Sequence, residues 1–153
     1  MKQLLLFLIF SVINFGGLAF GSWLMDNGPL SDWYTNLNQA PWTPPGWVFG
    51  VAWTLIMLCF SIYLSKLFSL VKSKKLILVY VLQVFLNVSW NYIFFNLHQV
   101  FLALIVIVAL TIVILYLFVK YKQTLKNLSY LLFPYIIWLI IATSLNAYIL
   151  IYN

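Results

Sequence analysis

The residues in this chain best suited to chemistry are carboxamides and aromatic rings, spaced so that they share helical faces. Asn87, Trp90, Asn91 and Phe94 fall at i, i+3, i+4 and i+7, which puts two amides, an indole and a phenyl ring on one side of a helix. Tyr135, Trp138, Ala142, Leu145 and Asn146 repeat the pattern, with small Ala142 and Thr143 between the large groups; Phe49, Trp53, Met57 and Phe60 do likewise. Taken singly, each face is equally compatible with bundle packing in which the amides bond neighbouring carbonyls. Taken together, aromatic walls, a few amides and one small gap describe a cavity for a flat, mostly apolar ligand that needs a few hydrogen bonds.

Other chemistries lack their residues. No Asp, Glu, Arg or His occupies the central part of an apolar run, whereas pumps and ion channels keep charged relays at membrane depth. Ion-coupled transport is therefore not expected. His98 stands alone in a short turn, so no metal site and no resident cofactor are expected. Asp26 and Asp32 lie in a loop with no base near a serine, which leaves Ser/His/Asp hydrolysis unsupported. The single cysteine, Cys59, rules out a disulfide within the chain.

These faces need elements to hold them. With 65% hydrophobic and 7% charged side chains in 153 residues, the chain cannot cover itself with a polar surface in water, and it reads as an integral membrane protein. Apolar runs cover residues 4–25, 47–68, 76–95, 100–119 and 128–152, each near the ~20 residues that cross a bilayer as a helix. They lack strand-like alternation, and lipid tolerates only helices or closed barrels, so the expected fold is an all-α bundle of five transmembrane helices in a single domain, 1–153. Met1-Lys2-Gln3 followed by an apolar stretch resembles a signal peptide, but the run is too long for one and reads as a retained first span.

Lysine placement tests the count. Lys2 precedes the first run; Lys66, Lys72, Lys74 and Lys75 lie around the second connection, and Lys120, Lys122 and Lys126 around the fourth. Five spans gather all of them on one side, and the positive-inside rule makes that side cytoplasmic, with the N-terminus inside and the C-terminus outside the cell membrane. The net charge of +6, without arginine, thus reads as a topology signal, and no nucleic-acid partner is expected.

The stretch from Trp42 to Trp53 marks the opposite surface. Its indoles suit the headgroup boundary; Thr43 is placed to N-cap a helix and Pro44 to occupy its first position. The loop before it, 26–44, is the longest polar connection and carries Trp33 and Tyr34; it reads as a lid over the pocket. Gly17 and Gly21 form a G-x-x-x-G in the first run, a spacing that serves either a homodimer or tight packing inside the bundle.

Three blocks resemble a known family: Trp42-Thr43-Pro44-Pro45-Gly46 with Trp53; Leu86-Asn87 and Trp90 with Phe94-Phe95; and Pro134-Tyr135, Trp138, Ala142-Thr143 and Leu145-Asn146. In order and spacing they are similar to the signature blocks of the translocator proteins, also called tryptophan-rich sensory proteins or peripheral benzodiazepine receptors, over essentially the whole chain. The resemblance implies a five-helix bundle, often a homodimer, whose cavity binds protoporphyrin IX and related tetrapyrroles as well as isoquinoline carboxamide or benzodiazepine-type drugs. It implies that Trp53 and Asn87 hydrogen-bond a drug carbonyl, that Tyr34, Pro44, Phe49, Trp90, Trp138 and Ala142 line the pocket, and that Trp53 and Trp138 act in a light-dependent breakdown of porphyrin. The sterol-recognition pattern of animal members needs a basic residue after its tyrosine, and Tyr148 is followed by none, so sterol binding through it is not expected. The expected function is a tetrapyrrole receptor in the bilayer, with photooxidative degradation as an added activity; facilitated transport of porphyrin or lipid is the alternative.

Overall fold

The computed structural model describes residues 2–153, and every regular element in it is a helix. Five long helices, α1 (Lys2–Met25), α3 (Gly46–Leu70), α4 (Lys74–Asn91), α5 (Val100–Leu125) and α6 (Phe133–Tyr152), are joined by short connections and by one loop that carries a 3-10 turn (Gly28–Leu30) and the short α2 (Asp32–Thr35). α4 runs on as a π-helical turn, Tyr92–Asn96, and a 3-10 segment, Lys126–Leu132, separates α5 from α6. By hydropathy there are four long apolar segments, the last covering Val100–Tyr152. That segment is far longer than one crossing needs, and it folds back on itself: Asn146 near the end of α6 donates to the carbonyl of Val100 at the start of α5, 2.9 Å. It supplies two antiparallel helices, and the protein is a five-helix membrane bundle.

The long helices close a ring in the order α1, α3, α6, α5, α4 and back to α1. Packing is densest at the end where the lysines gather: Tyr63, Leu64, Leu67, Leu117 and Leu132 are wholly buried. At the other end the inward-facing aromatic residues Phe49, Trp53 and Trp90 are only half-buried. Outward positions such as Val12, Leu78, Ile112 and Ile151 are exposed and apolar, as a lipid-facing surface requires.

Polar side chains tie the helices together. The Asn14 amide donates to the Ser61 hydroxyl at 2.9 Å, and the Tyr80 hydroxyl donates to the Asn14 carbonyl at 2.8 Å, so one asparagine links α1, α3 and α4. All three groups are buried, and each bond spares a cost that hydrocarbon would otherwise impose. The Tyr63 hydroxyl donates to the Leu117 carbonyl at 2.9 Å, fixing α3 to α5.

One expectation needs revision. The helix after the loop starts at Gly46 and not at Pro44; Pro45 precedes it with φ −57° and ψ 148°, and no side chain caps it. The reason is the proline pair: a residue followed by proline is disfavoured in the α region, and Thr43 and Pro44 both lie outside the helix. The Gly17 and Gly21 spacing is used inside the chain, since a Cβ on Gly17 would lie 3.7 Å from Val88, and one on Gly21 would lie 2.8 Å from the Asn91 amide nitrogen. Gly21 lets α1 approach α4, while Gly17 faces the same helix at ordinary contact distance. Gly21→Ala should lower the thermal midpoint in detergent by an amount worth about 1 kcal/mol, because the Asn91 amide can yield only by giving up its bond to the Asn87 carbonyl. Gly16→Ala, with nothing within 4 Å, should not lower it. Equal losses in the two variants would count against this face assignment.

Candidate ligand-binding site

Tyr135 stands where the three chemistry-bearing faces meet. Its ring is 1% exposed, and its hydroxyl oxygen accepts from the amide of Asn87 at 2.8 Å and from the amide of Gln83 at 2.9 Å. Trp53 meets the same ring edge-on, with centroids 5.9 Å apart, and Phe60 does so at 5.4 Å. One turn further along α6, Trp138 is buried and packs perpendicular to Phe49 at 5.1 Å. Trp53, Asn87 and Trp138 therefore turn inward, on three helices. Ala142 is half-buried and packs against the same core, and Pro44 is half-buried just before α3.

A second aromatic group lies above, on the π-helical turn and the loop. Trp90 stacks on Phe94 with centroids 5.1 Å apart, and its indole N–H donates to the Asn146 carbonyl at 3.2 Å. Phe94 and Phe95 receive Tyr34 edge-on at 6.2 and 5.3 Å, while Trp33 stacks on His98 at 4.0 Å. The extra residue per turn in a π segment rotates successive side chains onto a different face, which lets Phe94 and Phe95 both meet the loop. The loop is also held to α6: the Trp42 indole donates to the Ser144 hydroxyl at 3.1 Å, and the Asn153 side chain accepts from the Asn38 amide at 2.8 Å and donates to the Asn38 carbonyl at 3.3 Å. Trp90 and Tyr34 thus belong to this upper group, and Trp90 is tied to α6 through Asn146.

Burial raises the Tyr34 hydroxyl above the ordinary tyrosine range. A raised folded-state pKa contributes stability that is complete below the ordinary value and is lost as pH rises through the raised one. Loop docking should therefore hold up to about pH 10 and weaken above it; amide exchange of residues 28–40 in wild type and Tyr34→Phe would measure this. A pH response unchanged in Tyr34→Phe would assign it elsewhere.

Two hollows border the helices that carry these residues. A cavity of about 10 Å³ lies between α1, α3 and α4, lined by residues that include Asn14, Gly17, Gln83 and Asn87, enough for one water and far below the ~300 Å³ of a small-molecule site. A shallow hollow of about 360 Å³ is lined by Gly50, Val51, Thr54, Leu55 and Leu58 of α3 alone, away from the amides. Neither hollow is lined by Trp53, Trp90 or Trp138. Gln83, Ser144 and Asn153 were not singled out by the sequence. Gln83 precedes Asn87 by one helical turn on the same face, a signal that spacing carries; the loop contacts of Ser144 and Asn153 have no local pattern.

A model of the TspO/MBR family matches residues 7–152. The chain is 31% identical over 115 residues to a tryptophan-rich sensory protein of Cereibacter sphaeroides, covering 75% of this chain and 73% of that one. It is 28% identical over 148 residues to a tryptophan-rich protein TspO of Archaeoglobus fulgidus, 95% and 96% of the two chains. It is 30% identical over 119 residues to the human translocator protein, 74% and 70% of the two chains. A match over nearly the full length, on a bundle whose inward faces carry Trp53, Asn87, Trp90, Trp138 and Asn146 of the three blocks, leads to one conclusion: this chain is a multi-pass membrane protein that belongs to the TspO/MBR family.

Proposed function

We propose that this protein is a membrane receptor for tetrapyrroles such as protoporphyrin IX, taken up among Phe49, Trp53, Asn87, Trp90, Trp138 and Ala142 beneath a lid formed by residues 26–44, with Tyr34 and Pro44 at its edge. The observation that carries the reading is the convergence of Trp53 and Asn87 on the buried Tyr135, next to the Phe49–Trp138 pair. A porphyrin is a broad apolar ring with polar edges, and such a wall offers it aromatic faces and amide donors. The looser packing at this end favours opening there rather than at the lysine end, where the core is solid. The same wall would accept carboxamide drugs, the Trp53 and Asn87 N–H groups donating to the carbonyl.

Photooxidative degradation belongs to the same proposal. A photo-excited porphyrin in contact with Trp53 or Trp138 can take one electron from the indole, leaving an indole radical cation and a porphyrin radical anion; the light chemistry is the pigment's, and the protein supplies proximity. The orientation proposed is N-terminus cytoplasmic and C-terminus outside, from the lysines at one end, and the assembly proposed is a homodimer that leaves the Gly17 and Gly21 face within each chain.

Protoporphyrin added to the protein in detergent should quench tryptophan fluorescence saturably, and Asn87→Ala should weaken a carboxamide ligand by about 1–3 kcal/mol. Linear, unsaturable quenching would remove the receptor reading, and an unchanged carboxamide affinity would remove Asn87 from it. Illumination at equal occupancy compares wild type with Trp53→Phe and Trp138→Phe: slower pigment loss supports the indole role, and equal loss in all three ends it.

A further inference from the structure

We propose that the small cavity between α1, α3 and α4 is a built site for a single water molecule, which joins two buried polar clusters into one network beneath the ligand-binding region. The first cluster is Ser61–Asn14–Tyr80 and the second is Gln83–Tyr135–Asn87. Gln83 is 2% exposed and its carbonyl oxygen has no hydrogen-bond partner among the described residues. Gln83, Asn87 and Asn14 all line the cavity, and its volume of about 10 Å³ matches the least space that holds one water.

The inference does not depend on which way the Gln83 carboxamide is turned. With its nitrogen toward Tyr135, the oxygen is left over and asks for a donor; with its oxygen toward Tyr135, the nitrogen is left over and asks for an acceptor. Either atom is buried where hydrocarbon surrounds the bundle, and leaving it unpaired is costly. Water serves both cases, because it donates and accepts. The Asn14 amide uses one of its two hydrogens on Ser61, so the second is available to a water at this place, and the Asn87 carboxamide borders the same space. A water held by the Gln83, Asn14 and Asn87 carboxamides has the 2–4 partners that buried waters keep. It would link α1, α3, α4 and α6 through side chains and hold the Asn87 amide in place from the side away from Tyr135. None of this requires the tetrapyrrole reading, and both tests below are made without ligand.

A crystal structure of the full chain at a resolution that shows ordered water should place one water about 2.7–3.2 Å from the Gln83 carboxamide, with Asn14 or Asn87 as a second partner. A Gln83 side chain bonded to Tyr135 with no peak beside it, or one turned to another protein partner, overturns the proposal. The second test is Gly17→Ala. Its new methyl would sit at ordinary contact distance, 3.7 Å from Val88 and 3.9 Å from Val84, both of which line the cavity. In a dry cavity that methyl fills space and improves helix propensity, so the thermal midpoint in detergent would rise. With a water in place, the methyl displaces it and strands Gln83, so the midpoint should fall by several degrees and the peak should vanish. A midpoint that is unchanged or raised overturns the proposal.

Discussion

Tyr135→Phe should destabilise the bundle by about 2 kcal/mol although it removes a single oxygen atom. That oxygen accepts from both the Gln83 and the Asn87 amides. Hydrogen bonds between membrane helices average only ~0.6 kcal/mol, because the unfolded chain in the bilayer also finds partners. Stranding a buried donor costs more than losing such a bond, ~1–3 kcal/mol per group. Asn87 is half-buried and can turn to a new partner, whereas Gln83 is enclosed, so Gln83 sets the size of the effect. The shape of the pocket wall barely changes, which separates this loss from a packing defect. Gln83→Met should remove much of the same interaction, and the double variant should cost less than the two single losses added, with a coupling of about 1 kcal/mol. Thermal unfolding of the four proteins in one detergent at fixed concentration measures the cycle. Strictly additive losses would mean that the bond between Gln83 and Tyr135 carries no energy.

Much of this was readable from residues alone, because membranes make the code simple. Continuous apolar runs and lysines confined to alternate connections point to a five-helix bundle, since only helices of about 20 residues meet the backbone's demands in hydrocarbon. The faces bearing Trp53, Asn87 and Trp138 were legible from i, i+3, i+4 and i+7 spacing, and the helices do turn them toward one another. Ends and turns were less legible. α5 extends to Leu125, beyond the apolar run that stops near 119, because Lys120 and Lys122 continue the helix past the hydrocarbon, where hydropathy no longer marks it. The helix at Gly46 starts late because two prolines in succession override a good capping residue. The π-helical turn at Tyr92–Asn96 depends on how Phe94 and Phe95 are shared with the loop, a tertiary demand with no local signature. For the same reason Asn153 could not be matched with Asn38 across 115 positions of sequence, and the role of Tyr135 as acceptor from two amides appears only once α4 and α6 are placed side by side.

The loop offers the sharpest test of how the cover is held. Gly28→Ala should release the loop from the π-helical turn, at a cost of about 1–3 kcal/mol for overpacking. No glycine among the described residues has a positive φ, so the cost is steric and not conformational. A Cβ on Gly28 would fall 2.6 Å from the Cβ, Cγ and Cδ1 atoms of Phe95, at the root of that side chain, where rotation of the ring relieves nothing. Phe95 is in turn packed against Tyr34, Phe94 and Trp90, so it cannot retreat without moving the turn that carries them. The loop, fastened at its other end by Trp42 and Asn38, is the part free to move. Amide exchange in residues 28–36 should therefore quicken at least tenfold, while exchange in α3 and α5 stays as in wild type. If the loop also covers a bound ligand, dissociation of protoporphyrin should quicken in the same variant. Wild-type exchange across the loop in Gly28→Ala would mean that Gly28 and Phe95 are not in close contact, and the cover would then have to be held by its α6 contacts alone.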